Sequence, residues 1–159
     1  MLELRIIALG ALGKDFFKQA VDEYSKRLQS FCKLNIIEIP DTKPVGTNPN
    51  DAEIAKMLEA ESVRIEKHLK GYVTVLDVQG KIVSSPELSQ VLSSVAVSGN
   101  SCVSFVIGSS WGISDKIKQK ADLSLSFSRL TFPHQLFRVM LLEQLYRAFT
   151  ILNNMPYHK

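Results

Sequence analysis

FVIGSSWGIS (105–114) and ADLSLSFSRLTFPHQLFRVMLLEQLYRAFTILNNMPYHK (121–159), joined by the charged segment DKIKQK, decide how this chain is read. An apolar strand runs into a Gly/Ser loop. A second strand ends in SRLTFP, and a long helix follows with apolar residues around most of its circumference. Two strand-end loops that face each other let backbone amides and carbonyls approach a nucleotide with no side chains in the way.

Working outward, LELRIIAL (2–9), LNIIEI (34–39), YVTVLDV (72–78) and CVSFVI (102–107) are short apolar runs closed by turn residues, and each reads as a buried strand. In DLSLSF (122–127), Leu123, Leu125 and Phe127 alternate with serines, the two-residue period of a fifth strand. Helical spacing separates them. Phe17, Ala20, Val21, Tyr24, Leu28 and Phe31 share one face, with Asp22, Glu23, Lys26 and Arg27 opposite. Asn50 with Glu53 resembles a capping box, and Ile54, Met57, Leu58, Ile65 and Leu69 mark the second helix. Ser85 with Pro86 and Glu87 opens a third, whose stripe is Leu88, Val91, Leu92 and Val95. A short helix starts at Ser114, and Pro133 falls in the first turn of the last one. Alternating strands and helices with near-continuous apolar strands predict an α/β fold, a parallel-type sheet with helices on both faces. No repeat or linker divides residues 1–159, so a single domain is expected.

Ligands of such sheets lie outside the carboxyl ends of the strands, which here are Leu76–Gly80, Gly108–Gly112 and Phe127–Phe132. GALGK (10–14) lacks the phosphate-loop spacing, since two residues rather than four separate its glycines and Asp15 follows Lys14. The loop DTKPVGTNPN (41–50) is long enough to be a lid or disordered. His68 reads as a solvated helix-end residue.

Apolar residues make up 45% and charged residues 22%, the balance of an ordinary globular protein, and a net charge of +3 permits contact with phosphate without demanding it. Cys32 and Cys102 lack metal-type spacing and suit a reducing compartment. No ligand cluster for a metal is visible, no leader pattern precedes the first strand, and no apolar stretch is long enough to span a bilayer. A soluble, cytoplasmic protein is expected.

On the last helix, Leu141, Leu145, Phe149 and Leu152 cover one broad face, and Glu143, Arg147 and Thr150 form the polar stripe. So much apolar surface predicts a homodimer interface. Arg138 falls inside the apolar arc and needs an anion or carbonyls. Its partner is a carboxylate of the same chain, a second subunit or a bound polyanion. In the tail, Tyr157 offers a ring that stacks on a base, His158 an imidazole of the kind that moves protons near neutral pH, and Lys159 a phosphate contact.

IGSSWGIS, ADLSLSFSRLTFPHQLFRVMLLEQLYRA and the terminal PYHK closely resemble the ribosomal RNA large subunit methyltransferase H family, a small branch of the SPOUT methyltransferases. The likeness runs along the whole chain from LRIIALG and is most specific after Phe105. It implies an enzyme that methylates N3 of a pseudouridine in 23S rRNA with S-adenosylmethionine. It also implies a homodimer and a C-terminal trefoil knot, against the general rule that chains are un-knotted. By position, Leu76, Gly108, Phe127, Ser128, Arg129, Leu130, Thr131 and Phe132 match the family's cofactor-binding loops. Adenine is then read by backbone groups of Ser128–Thr131 and packs against Leu76, Leu130 and Phe132. For such a reaction His158, brought near the cofactor by the tail of the partner subunit, is expected to accept or orient the N3 proton, with Tyr157 placing the base. The alternative is a tail that only clamps RNA. Arg129, Arg138, Arg147 and Lys159 are the expected phosphate contacts, with ribosomal surface contributing the rest.

Two positions depart from the pattern. Ser109 stands where many members have a second glycine, and Lys159 replaces the usual terminal arginine. A SPOUT enzyme acting on tRNA and a catalytically idle RNA- or nucleotide-binding module are the competing readings.

Overall fold

A computed structural model describes residues 1–44 and 46–159. These form β1 (Glu3–Leu9), α1 (Asp15–Leu28), β2 (Lys33–Ile39), α2 (Asp51–Glu66), β3 (Tyr72–Ile82), α3 (Ser85–Val97), β4 (Cys102–Ile107), α4 (Asp115–Gln119), β5 (Leu123–Ser126) and α5 (His134–Leu152). The five strands make one all-parallel sheet in the order β2-β1-β4-β3-β5. All six residues of CVSFVI are buried because β4 lies at the sheet's centre with a layer of helices on each side.

Strand alternation sorts the core into two layers. Leu4, Ile6 and Ala8 of β1 and Val103, Phe105 and Ile107 of β4 face α1, α3 and α5, meeting Val21, Leu28, Leu88, Leu92, Leu141 and Leu145. Ile7, Leu9 and Val106 point the other way, toward Ile65 of α2 and Ile117 of α4. Truncating any one of the fully buried leucines to alanine costs about 2–5 kcal/mol by this logic.

The expected cap of α2 is present in full. The Asn50 side chain accepts from Glu53 N–H, and the Glu53 carboxylate accepts from Asn50 N–H. In α3 the cap is Ser84, not Ser85, because the reciprocal carboxylate must sit three residues on, at Glu87. Ser85 instead donates to Gln144 Oε1 of α5 at 2.6 Å. β3 runs on past Val78, where the sequence reading ended it, to Ile82, with a register shift between Leu76 and Lys81 against β5. A Cβ on Gly80 would lie 2.7 Å from Ser124 O, so only glycine lets the two backbones come this close. Leu69 lies beyond the end of α2. The 41–50 loop includes Val45, which is outside the described residues.

α5 buries more than expected within one chain. Flanked by α1 and α3, it hides Leu141, Leu142, Leu145, Ala148, Phe149 and also Thr150, whose hydroxyl donates to Arg147 O. Phe31 stacks on Phe149 with ring centroids 5.7 Å apart. Leu152, placed on the apolar face by its spacing, is exposed. The surplus of apolar surface is thus covered largely from inside the chain. No helix among the described residues is long and apolar enough to cross a membrane.

Candidate functional site

Because β4, β3 and β5 are neighbours in the sheet, the loops at their carboxyl ends meet over one cavity of about 420 Å³. Leu76, Asp77 and Val78 line it from β3, Gly108, Ser109 and Ser110 from β4, and Phe127, Ser128, Leu130, Thr131 and Phe132 from β5. Seven of the eight residues singled out in the sequence therefore share one lining, in a volume that suits a small organic ligand. Arg129 is the exception. Its side chain turns back and donates from Nη1 to Val78 O and, at 3.0 Å, to Gly80 O, tying the third loop to the first.

Each loop is fixed locally. A Cβ on Gly108 would sit 2.5 Å from Gly112 O and 2.5 Å from Ile113 Cγ1, so the turn closes on itself only with glycine there. Gly112 N–H donates to Ser109 O at 2.9 Å, closing that turn. Ser109 is tolerated. Asn154 alone among the described non-glycine residues has positive φ, so Ser109 needs no left-handed backbone. In the third loop, Leu130 N–H donates to Ser128 Oγ at 3.0 Å and Ser126 Oγ–H donates to Ser128 O at 2.9 Å. Phe137 of α5 packs on Phe127, centroids 4.9 Å apart, and supports the loop from beneath. At the rim, Lys118 Nζ lies 3.2 Å from Asp77 Oδ2.

Several lining residues lie outside the three loops read from the sequence, among them Ile113, Lys118, His134 and Phe137. His134, the first residue of α5, is half-buried at the cavity, and burial holds its imidazole below the usual range while Asp41 pulls the other way. The available signal was its position, at the junction of the third loop with a helix start.

The tail is elsewhere. Asn153 caps α5, Asn154 takes a left-handed conformation at φ 53°, Met155 N–H donates to Thr150 O at 2.8 Å and Asn154 N–H to Ile151 O at 3.1 Å. This Schellman arrangement reverses the chain onto its own helix. Tyr157 O–H donates to Glu143 Oε1 at 3.1 Å, its ring meets Tyr146 edge-on, and the Arg147 guanidinium lies 4.7 Å above it. Burial and the Glu143 carboxylate push the Tyr157 phenol up to about 12, so it stays a donor. His158 is exposed, its Nδ1 3.5 Å from Arg147 Nη1. Neither tail residue lines the cavity of its own chain. The ring expected against a base is engaged on α5.

Of the four expected phosphate contacts, Arg138 is corrected. Only 2% exposed, it pairs through Nη1 with Glu38 Oε2 at 3.0 Å and donates from Nη2 to Gly10 O at 2.9 Å. Its anion is a carboxylate of the same chain, which leaves it no face for RNA. Arg147 is held at 2.5 Å by Glu143, four residues before it on the polar stripe, while Arg129 and Lys159 are exposed. GALGK takes no part in the cavity, and Gly13 N–H donates to Gln135 Oε1.

Comparison with known proteins follows the same lines. A family model described as "Predicted SPOUT methyltransferase" matches residues 2–158. Two strains of Clostridium botulinum carry a ribosomal RNA large subunit methyltransferase H similar to this chain. The protein of strain 657 / Type Ba4 is 49% identical and that of strain Okra / Type B1 is 48% identical, over 99% of this chain and 100% of each relative. A solved structure described as "a probable methylase family protein" from Haemophilus influenzae Rd KW20 shares the fold, with TM-score 0.55 at 14% identity, covering 100% of this chain and 72% of that one. An all-parallel sheet whose central strand ends open onto one cavity, matched end to end by that family model, makes this chain a methyltransferase of the ribosomal RNA large subunit methyltransferase H family, within the SPOUT methyltransferases.

Proposed function

We propose that this protein transfers a methyl group from S-adenosylmethionine to N3 of a pseudouridine in 23S rRNA, on the ribosome or its large subunit, as a homodimer. The observation that carries this reading is the meeting of the three strand-end loops over a single cavity. That cavity fits the donor. Gly108 lets its turn fold tightly back at the cavity wall, Leu76, Leu130 and Phe132 supply apolar contact, and the Ser128–Thr131 backbone supplies groups able to read adenine. When bound, the sulfonium supplies an electrophilic methyl group.

The chain's own residues hold and orient. In-line displacement requires the target nitrogen on the far side of the methyl from sulfur, so both partners must be fixed to within a fraction of an ångström. Arg129 serves that precision by locking the Phe127–Phe132 loop to the β3 carbonyls. The N3 imide proton must leave. His158 accepts or orients it, delivered by the tail of a second copy, since in its own chain it lies on α5 outside the cavity. Tyr157 anchors the tail on Glu143 and Tyr146 so that His158 projects. A homodimer thus rests on the need for a tail at each cavity rather than on surplus apolar surface. A C-terminal trefoil knot belongs to the same proposal. It rests on the chain's membership of the SPOUT methyltransferases. Lys159 and the exposed face of Arg129 meet phosphate, and Lys159→Ala should lower the salt slope of RNA binding by about 0.7–0.9.

The test is mass spectrometry of rRNA after under-methylated ribosomes are incubated with the protein and S-adenosylmethionine. One added methyl on a 23S rRNA pseudouridine supports the proposal. Methylation of tRNA alone, or none, contradicts it.

A further inference from the structure

Glu61 is 2% exposed on α2, the helix covering the opposite sheet face from α5, and none of the functional residues named so far accounts for it. A carboxylate so deeply placed needs partners. Burial pushes its carboxyl up, with Asp41 adding to the rise and Arg64 opposing it. Two backbone segments supply the partners. Ser109 Oγ–H donates to Oε2 at 3.2 Å, and Thr42 N–H donates to Oε1 at 3.4 Å. Arg64, one turn along α2, donates from Nη2 to Thr42 Oγ1 at 2.5 Å. On the other side, Trp111 N–H donates to Ser109 Oγ at 3.4 Å. A hydroxyl has one proton to give. With that proton directed at Glu61, its lone pairs are left to receive the Trp111 amide. One buried carboxylate therefore joins the start of the 41–50 loop to the Gly108–Gly112 turn at the cavity wall.

We propose that Glu61 is a positioning residue for the methyl-donor site, holding the Gly108–Gly112 turn through the Ser109 hydroxyl and coupling it through Thr42 to the 41–50 loop. The coupling role rests on the reading that this turn receives S-adenosylmethionine. The Ser109 hydroxyl gives the turn a side-chain tether in addition to its backbone bond from Gly112 N–H to Ser109 O. Loosening either end lets the turn drift and weakens donor binding.

Trp111 is the chain's single tryptophan and sits on this turn, so its emission reports the tether without any ligand. The full-length protein is compared with Ser109→Ala, Ser109→Thr, Glu61→Gln and the Ser109→Ala/Glu61→Gln double variant. Ligand-free emission and acrylamide quenching are read first, then S-adenosylmethionine affinity by calorimetry. Ser109→Ala should make Trp111 more quenchable and weaken the donor about 5–10-fold. Ser109→Thr, which keeps the hydroxyl, should restore both. The double variant should be no worse than the weaker-binding single, because the two changes remove one interaction. The proposal is overturned if Ser109→Ala leaves Trp111 emission and quenching as in the wild type, or if the two single effects multiply. If the wild type binds no donor, the reading of the cavity fails while the tether is still judged by Trp111. If Glu61→Gln does not fold, the Ala/Thr pair at position 109 decides.

Discussion

The cavity and the C-terminal tail carry the two halves of the proposed chemistry, and they are built in opposite ways. At the cavity, three segments far apart in sequence are forced together by strand order, and each turn is locked by its own bonds. In the tail, a helix cap reverses six residues onto α5, where Tyr157 is held and His158 stands in solvent. The binding half is finished by folding, whereas the proton-handling half is set on a surface that faces away from its own cavity. Binding and proton transfer should accordingly separate cleanly by mutation.

The largest effect is expected at the cavity. Gly108→Val places atoms on Gly112 O and should weaken S-adenosylmethionine at least about 100-fold by calorimetry, with the tail untouched. Next, His158→Ala should slow single-turnover methyl transfer about 100-fold while donor affinity stays at the wild-type value. Mixing the two inactive proteins should then restore about a quarter of wild-type activity, the share of intact sites in randomly exchanged dimers. No recovery on mixing would place the tail's action in its own chain. A smaller change is expected at Arg138, which belongs to neither half. Arg138→Ala should lower stability by about 2 kcal/mol in chemical denaturation, less than a fully buried pair because Glu38 is half exposed. The salt slope of RNA binding should not move, whereas a drop of about one would return Arg138 to the phosphate contacts.

The smallest effect is a pH dependence at the cavity. The His134 pKa is depressed on folding, so the unfolded chain takes up the proton first. Stability should fall as pH drops below the ordinary 6.5, until the folded protein is protonated as well. His134→Asn should flatten that part of the stability profile. Glu61, raised on folding, acts in the opposite direction and gains stability for the folded state as pH falls toward 4.5, so the two variants together separate the contributions.

Local rules made much of the fold legible. CVSFVI matches β4 residue for residue because turn residues bound it and its neighbours bury it completely. The Asn50–Glu53 box fixes the start of α2 from four residues alone. The Ser84 cap could have been found by the same rule, since Glu87 lies three residues beyond Ser84 whereas Leu88 lies three beyond Ser85. Other features belong to tertiary structure. β3 continues through Gly80 only because β5 passes close enough to require a glycine. Arg138 advertised its need for an anion, but Glu38 is a hundred residues away and no periodicity connects them. At the site, the three loops were legible from strand ends, while the seating of the tail hangs on the backbone of Asn154 and the burial of Tyr157.

The most direct test of the central claim is a crystal structure of the protein grown with S-adenosylmethionine. The account predicts adenosine density between Leu76, Gly108 and Leu130, against the Ser128–Thr131 backbone. Donor density anywhere else on the chain, or those three loops drawn apart around an empty space, would contradict it.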